Sequence, residues 1–259
     1  MKSVKVYKIN FLFLALLFIS LTLLLPAKAK EIKVGAIPGD KGGNIVTTAL
    51  DRIGANYTLI EKDDDYNLDN LSKFDAITMA IRAYKARPEL RNNHKALLDY
   101  VKQGGYLFTL DGQADEAWEQ DFMPYPLTLT DNDFPQIAAN QVEITVVNHP
   151  IFNSPNKITP EHIEAIGNAH WAVYDYANEV KPPWEVLLKT GGFPAIFEAE
   201  YGKGIIIFNS VLVGETLSKV ELKEAIEIGQ NLIHYAEKVA AAVTPQAKLT
   251  VTWGSIKKS

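Results

Sequence analysis

Cysteine is absent from all 259 residues. That absence excludes disulfide bonds, a thiol nucleophile, cysteine-ligated zinc and a lipid anchor on cysteine. It does not argue against export, because a chain of this length buries an adequate core without cross-links. A surplus of positive charge is also missing, with 26 Lys and Arg against 31 Asp and Glu. No apolar run reaches the roughly 20 residues that a membrane-spanning helix needs. The five histidines form neither an H-x-x-x-H nor an H-E-x-x-H pair, and no G-x-G-x-x-G or P-loop is present. Neither a metal nor a cofactor is therefore expected.

The chain opens with a leader. Lys2, Lys5 and Lys8 precede a largely apolar run of 15 residues, Phe11 to Leu25. Pro26 breaks the run, and Ala27-Lys28-Ala29 fits a small-x-small cleavage site. This is the pattern of a secretory signal peptide over residues 1–29, with an uncleaved N-terminal anchor as the competing reading. The expected location is secreted or periplasmic. Four of the 26 basic residues and none of the 31 acidic ones lie in the leader, so the remainder carries 22 against 31, a net charge of −9. Such a surface argues against nucleic acid and against an anionic membrane as partners.

Beyond the leader the chain alternates strand and helix. Ile32 to Ile37 reads as a first strand, followed by the tight polar loop Pro38 to Gly43. A helix runs from Asn44 to about Ile53 and Gly54 ends it. Tyr57–Ile60 and Phe74–Ile81 are further strands, the second apolar enough to be covered on both faces. A loop with three cations, Arg82, Lys85 and Arg87, leads to an amphipathic helix over Arg91–Gln103. Gly104-Gly105 closes that helix before the strand Tyr106–Leu110. Short-looped alternation of this kind means a mainly parallel, doubly wound α/β sheet. The second half is less regular. A short helix is expected over Asp115–Gln120, then a Pro-rich polar surface excursion over Met123–Pro135. Strands follow at Gln141–Val147 and Trp184–Lys189, with a short helix at Ile158–Ile166. Ala195–Tyr201 and Ile205–Asn209 read as an antiparallel hairpin around Gly202-Lys203-Gly204. One long helix is expected from about Glu215 to Val243. The α/β domain thus spans residues 30–243, and residues 244–259 form a tail that is either frayed or adds one strand, Lys248–Trp253.

Six segments in this order carry a family resemblance: VGAIPGDKGGNI, LSKFDAITMAIRAYKARPEL, NNHKALLDYVKQGGYLF, PYPLTLT, NHPIFNSPNKIT and EAEYGKGIIIFNS. Over roughly residues 32–236 the chain resembles the class I glutamine-amidotransferase-like domains of the ThuA-like type. It is closest to those associated with LmbE-like (PIG-L) N-acetylglucosamine deacetylases. The resemblance implies a flavodoxin-like sheet with an added antiparallel hairpin and a closing C-terminal helix. Active relatives place a cysteine on a sharp strand-to-helix turn. The equivalent corner here is Asp111-Gly112-Gln113, so glutamine hydrolysis by that route is excluded. The His and Asp metal cluster of the deacetylase module does not occur in this chain.

Candidate site residues follow. Arg82, Tyr84 and Arg87 sit at the carboxyl end of a strand, where open parallel sheets gather their ligands. They are ligand-binding candidates for a carboxylate, a phosphate or a sugar ring, unless the arginines pair with local acids and Tyr84 packs. Asp111 is a further candidate, as ligand-binding group, as base, or as a helix cap. His149, held before Pro150, and His170 are candidate general bases, or residues that fix backbone geometry. Trp118, Trp171, Tyr174, Tyr176 and Trp184 form either a sugar-stacking platform or core. The expected function is a secreted, non-catalytic pseudoenzyme domain that binds a small polar ligand or glycan fragment. A hydrolase using Asp111 with His149 is one alternative. The other is an interaction module that docks a carbohydrate-active protein through Met123–Pro135. For the leader the expected outcome is concrete. When the full chain is made in an exporting host, N-terminal sequencing of the released protein reads from Lys30; a product retaining residues 1–29 supports the anchor instead.

Overall fold

The computed structural model describes residues 31–39, 44–113, 117–129 and 134–243. Eight strands make one sheet: β1 (Lys33–Ile37), β2 (Asn56–Leu59), β3 (Ala76–Met79), β4 (Tyr106–Thr109), β5 (Val142–Ile144), β6 (Glu185–Thr190), β7 (Phe193–Tyr201) and β8 (Gly204–Asn209). Among the described residues seven α-helices accompany them: α1 (Asn44–Ile53), α2 (Leu68–Leu71), α3 (Ala83–Ala86), α4 (Pro88–Lys102), α5 (Pro160–Ala169), α6 (Val213–Lys219) and α7 (Lys223–Val243). The strand order is β2-β1-β3-β4-β8-β7-β6-β5. β2, β1, β3, β4 and β8 pair in parallel, and β8, β7, β6 and β5 pair antiparallel.

The pleat sorts the parallel strands into two cores. On one face Val34, Ala36, Ala76, Tyr106, Phe108 and Ile207 pack with residues of α1, α5, α6 and α7. On the other, Ile37, Ile77, Met79, Leu107 and Phe208 pack with Leu90, Leu97 and Val101 of α4. Every residue of β3 and β4 is buried, which explains why those strands read as continuous apolar runs. Gly54, with φ of 80°, ends α1, and the two-residue turn Gly202-Lys203 joins β7 to β8. Gly39 is required by a close approach: a Cβ there would stand 1.7 Å from the carbonyl oxygen of Ile81. The loop after β1 is thereby pressed onto the end of β3, the edge that carries Arg82.

Three expectations change. The single helix from Glu215 is broken: Val220 is extended, with φ −137° and ψ 144°, and separates α6 from α7. No Gly or Pro marks the break. Its cause is tertiary, since α6 lies on α1 while α7 lies along the 3-10 turn at Pro150–Phe152. The segment from Met123 is not a simple surface excursion. Met123 and Leu127 are buried, the Trp118 indole donates to the Leu127 carbonyl, Leu129 bridges Ala177, and Phe134 bridges Val173. Its apolar residues are spaced by polar ones and prolines, so composition hid their burial. The expected strand over Gln141–Val147 shortens to β5 because it has a partner, β6, on one side only. The leader, the tail strand and the start of the Asp115–Gln120 helix lie outside the described residues; Gln120–Phe122 forms a 3-10 turn. Among the described residues no helix is long and apolar enough to cross a membrane.

The loop between β5 and α5 is held to α7 through two asparagines: Asn156 Nδ2 donates to Gln230 Oε1 at 3.0 Å, and Asn231 bonds back to the loop backbone. Asn231 is fully buried; its Nδ2 donates to the carbonyls of Ile151 (2.9 Å) and Asn156 (2.8 Å), and its Oδ1 accepts from the Asn156 amide at 2.9 Å. Asn231→Ala leaves these backbone groups without partners and is expected to cost about 3 kcal/mol. A fall in the urea midpoint at unchanged m-value is the readout.

Candidate functional site

The carboxyl ends of β3, β4 and β8 meet at one edge of the sheet. Between β4 and β8 the edge is fixed by Thr109 and Asn209, both buried. The Thr109 hydroxyl donates to the Asn209 carbonyl (2.9 Å) and accepts from the Asn209 amide (2.7 Å). The Asn209 side chain donates to the carbonyls of Leu110 (3.0 Å) and Val211 (3.1 Å) and accepts from the Val211 amide at 3.1 Å. The Gly112 amide donates to the Asn209 carbonyl at 2.6 Å. A Cβ on Gly112 would lie 2.5 Å from the Phe208 ring, so this corner demands glycine.

Asp111, 1% exposed, sits at the corner that follows β4. Its Oδ1 accepts from the amides of Gly214 (2.8 Å) and Glu215 (3.2 Å). Asp111 therefore caps α6, a helix about a hundred residues further along the chain, and ties the end of β4 to it.

Beneath the corner lies a half-open recess with about 10 Å³ of water-accessible space, room for about one water molecule. Met79, Ala80, Ala83 and Phe208 supply apolar walls, Tyr84 and Trp118 aromatic ones, and Thr109, Asp111 and Gln113 the polar side chains. Tyr84 is buried, stacked on Phe122 with ring centroids 4.0 Å apart, and its hydroxyl donates to the Phe122 carbonyl at 3.3 Å. Burial pushes that hydroxyl far above the usual phenol range. The Oε1 of Gln113 is buried and has no hydrogen-bond partner among the described residues.

Of the residues singled out from sequence, Tyr84 and Asp111 come together at this recess. The arginines do not. Arg82 takes a left-handed backbone, φ 53°, at the start of α3, and it is not part of the recess lining. Arg87 pairs with Glu61 at 3.2 Å and reaches the Pro38 carbonyl at 3.4 Å, the local acid pairing that competed with a ligand role. Nor does the structure join Asp111 to His149. His149 lies on the α7 face of the sheet, its Nε2 3.4 Å from Glu198 and its ring against Tyr235, with Nδ1 accepting from the Ile151 amide. Burial and the Glu198 carboxylate together raise the Tyr235 hydroxyl.

Sequence reasoning missed a second polar cluster. His170 Nε2 lies 2.6 Å from Lys219 Nζ and 3.4 Å from Glu215, whose side chain is 3% exposed and also accepts from Lys219 at 3.2 Å. Glu215 and Lys219 are four apart on α6, a spacing the sequence showed, but the arrival of His170 from the end of α5 was not legible. Of the aromatic candidates, Tyr176 and Trp184 are core, whereas Trp171 and Tyr174 form a half-buried pair 4.9 Å apart. Among the described residues no group of three or more His, Asp or Glu side chains is placed to hold a metal ion.

No family model and no curated protein matches the sequence. Solved structures do. A ThuA-like protein of Bacteroides uniformis superposes with a TM-score of 0.54 at 14% identity, over 82% of this chain and 94% of that one. A cytoplasmic protein of Salmonella typhimurium gives 0.53 at 14% identity, over 80% and 98%. A second cytoplasmic protein, from Salmonella typhimurium LT2, gives 0.53 at 15% identity, over 78% and 98%. At these identities the likeness establishes the fold, a ThuA-like, flavodoxin-like α/β sheet.

The capping role of Asp111 is measurable. Asp111→Ala strands two buried amides and is expected to lower stability by about 2 kcal/mol, whereas Asp111→Asn keeps an acceptor and loses less than half of that. Chemical denaturation of the two variants beside the unaltered protein checks the difference.

Proposed function

We propose that the protein is an exported, non-catalytic amidotransferase-like domain that binds a small polar ligand or glycan fragment at the recess below Asp111-Gly112-Gln113. One observation carries this reading. The corner that serves a nucleophile in active relatives holds a carboxylate committed to capping α6, yet a walled recess persists beneath it. Apolar and aromatic walls with a few placed polar groups are the usual make-up of a small-molecule site. A pyranose is too large to enter the recess as it stands and would lie across its mouth, with its C–H face against the part-buried Trp118 and its hydroxyls towards Asp111 and Gln113. The resemblance to domains that accompany amino-sugar deacetylases, together with the leader, supports a glycan outside the cytoplasm as the ligand. It also supports a carbohydrate-active protein as partner.

The hydrolase reading loses ground, because it needs Asp111 and His149 in one site. Docking through Met123–Pro135 loses ground too, because Met123 and Leu127 are spent on the core.

Thermal-shift and calorimetric titration of the purified protein with neutral, amino and acidic sugars and with nucleotides tests the proposal. At least one saccharide is expected to raise the melting temperature. Trp118→Ala, which removes one wall, is expected to weaken that binding by about tenfold. No shift with any compound, or binding indifferent to Trp118, sinks it.

A further inference from the structure

On the face of the sheet that α7 covers, β6 and β7 bring three carboxylates together. Glu185 and Glu198 stand directly opposite each other in the antiparallel register, and Glu200 lies two residues beyond Glu198 on the same face. Like charges so placed, with Cβ atoms about 5 Å apart, weaken a sheet. The neighbouring strand pair avoids the conflict: Glu143 of β5 is opposite Lys189 of β6, 3.7 Å from its Nζ. No such relief reaches the trio. Among the described residues none of its members forms an ion pair with a Lys or Arg. The donors that face Glu198, the Tyr235 hydroxyl and His149 Nε2, bring no fixed cation. Glu198 Oε2 is buried and has no hydrogen-bond partner among the described residues. A second observation does not depend on the acids. Tyr106 of β4 is fully buried, and its hydroxyl also has no hydrogen-bond partner among the described residues. Burial first, then Tyr235 and Glu198, raise that hydroxyl, which places it beside the trio. Glu185 and Glu200 are exposed, so the charge faces solvent.

From this juxtaposition of three carboxylates without a cation and an unspent phenol beside them, we infer that the β6–β7 face around Glu185 and Glu200 docks a basic segment of a protein partner. The face shares no residue with the recess, so the inference stands apart from the ligand reading. Arginine and lysine side chains bring charge and donors but no acceptor. Set against Glu185 and Glu200, they form charge-assisted hydrogen bonds and offset the repulsion across the strands. Glu198, with its side chain 13% exposed, adds its charge from beneath. A local rule broken without internal compensation marks a functional position. An acidic segment meets like charge here, so the trio sets the choice of partner as well as its affinity.

Two measurements test the inference. In urea denaturation Glu185→Gln is expected to raise the midpoint at unchanged m-value, because it removes one of two opposed charges. An unchanged or lower midpoint overturns it. Calorimetry of the purified protein at low salt compares a tetra-arginine peptide with its tetra-citrulline counterpart, which keeps the shape and lacks the charge. The arginine peptide is expected to bind at least about tenfold more tightly. Glu185→Gln combined with Glu200→Gln is expected to weaken that binding about tenfold. Asp64→Asn combined with Asp69→Asn, which removes two exposed charges beyond the edge strand β2, is expected to change it less than about twofold. Equal losses from the two double variants show attraction to net charge alone and overturn the docking face. Binding of both peptides alike, or of neither, overturns it as well.

Discussion

Everything at the carboxyl edge of the parallel strands depends on how Asn209 is satisfied. It is fully buried, and its backbone and side chain together hold Thr109, Leu110, Val211 and Gly112. A buried amide with so many partners tolerates little displacement, because each lost hydrogen bond exposes a costly unsatisfied group. β4 and β8 are locked at their ends, the glycine corner is pinned to them, and Asp111 is presented to α6. The recess inherits its shape from this junction rather than from the loops around it.

The protein keeps its ionisable groups in separate places. At the strand ends, Asp111 and the Glu215–His170–Lys219 cluster flank α6. On the α7 face, His149, Glu198 and Tyr235 form a distinct group between β7, α7 and the turn at Pro150. A base and a nucleophile must share hydrogen-bond reach to act together. Here His149 sits on another element than the corner carboxylate, and His170, which shares α6 with Asp111 as a neighbour, contacts Glu215 and Lys219. Each polar cluster joins a helix to the sheet or to another helix.

The first half of the fold was legible because local signals agreed with the tertiary outcome. Runs such as Ala76 to Met79 and Tyr106 to Thr109 are apolar because both faces of the sheet are covered, and Gly54 and Gly202 mark the chain reversals. The corner at Asp111 was legible through the resemblance, and Tyr84 through its place after β3. What escaped was set by contacts distant in sequence. Arg87 resembled a ligand clamp until Glu61, on another loop, engaged it. The break at Val220 carries no Gly or Pro, and Met123 and Leu127 are buried inside a stretch whose prolines and polar residues suggested surface. Asn209 left one faint sign, a polar residue directly after Ile205-Ile206-Ile207-Phe208 in a strand bound for the core.

The strand order has a temporal side. β4 and β8 are neighbours in the sheet, yet the whole antiparallel meander of β5, β6 and β7 is threaded between them in sequence. The recess needs Met79 from β3, Gln113 from the corner and Phe208 from β8 at once. A chain released from the ribosome only as far as β7 therefore holds every lining residue of the recess except Phe208 and lacks the strand that completes it. The recess can be completed only once β8 has taken its place between β4 and β7, after the whole meander has been made.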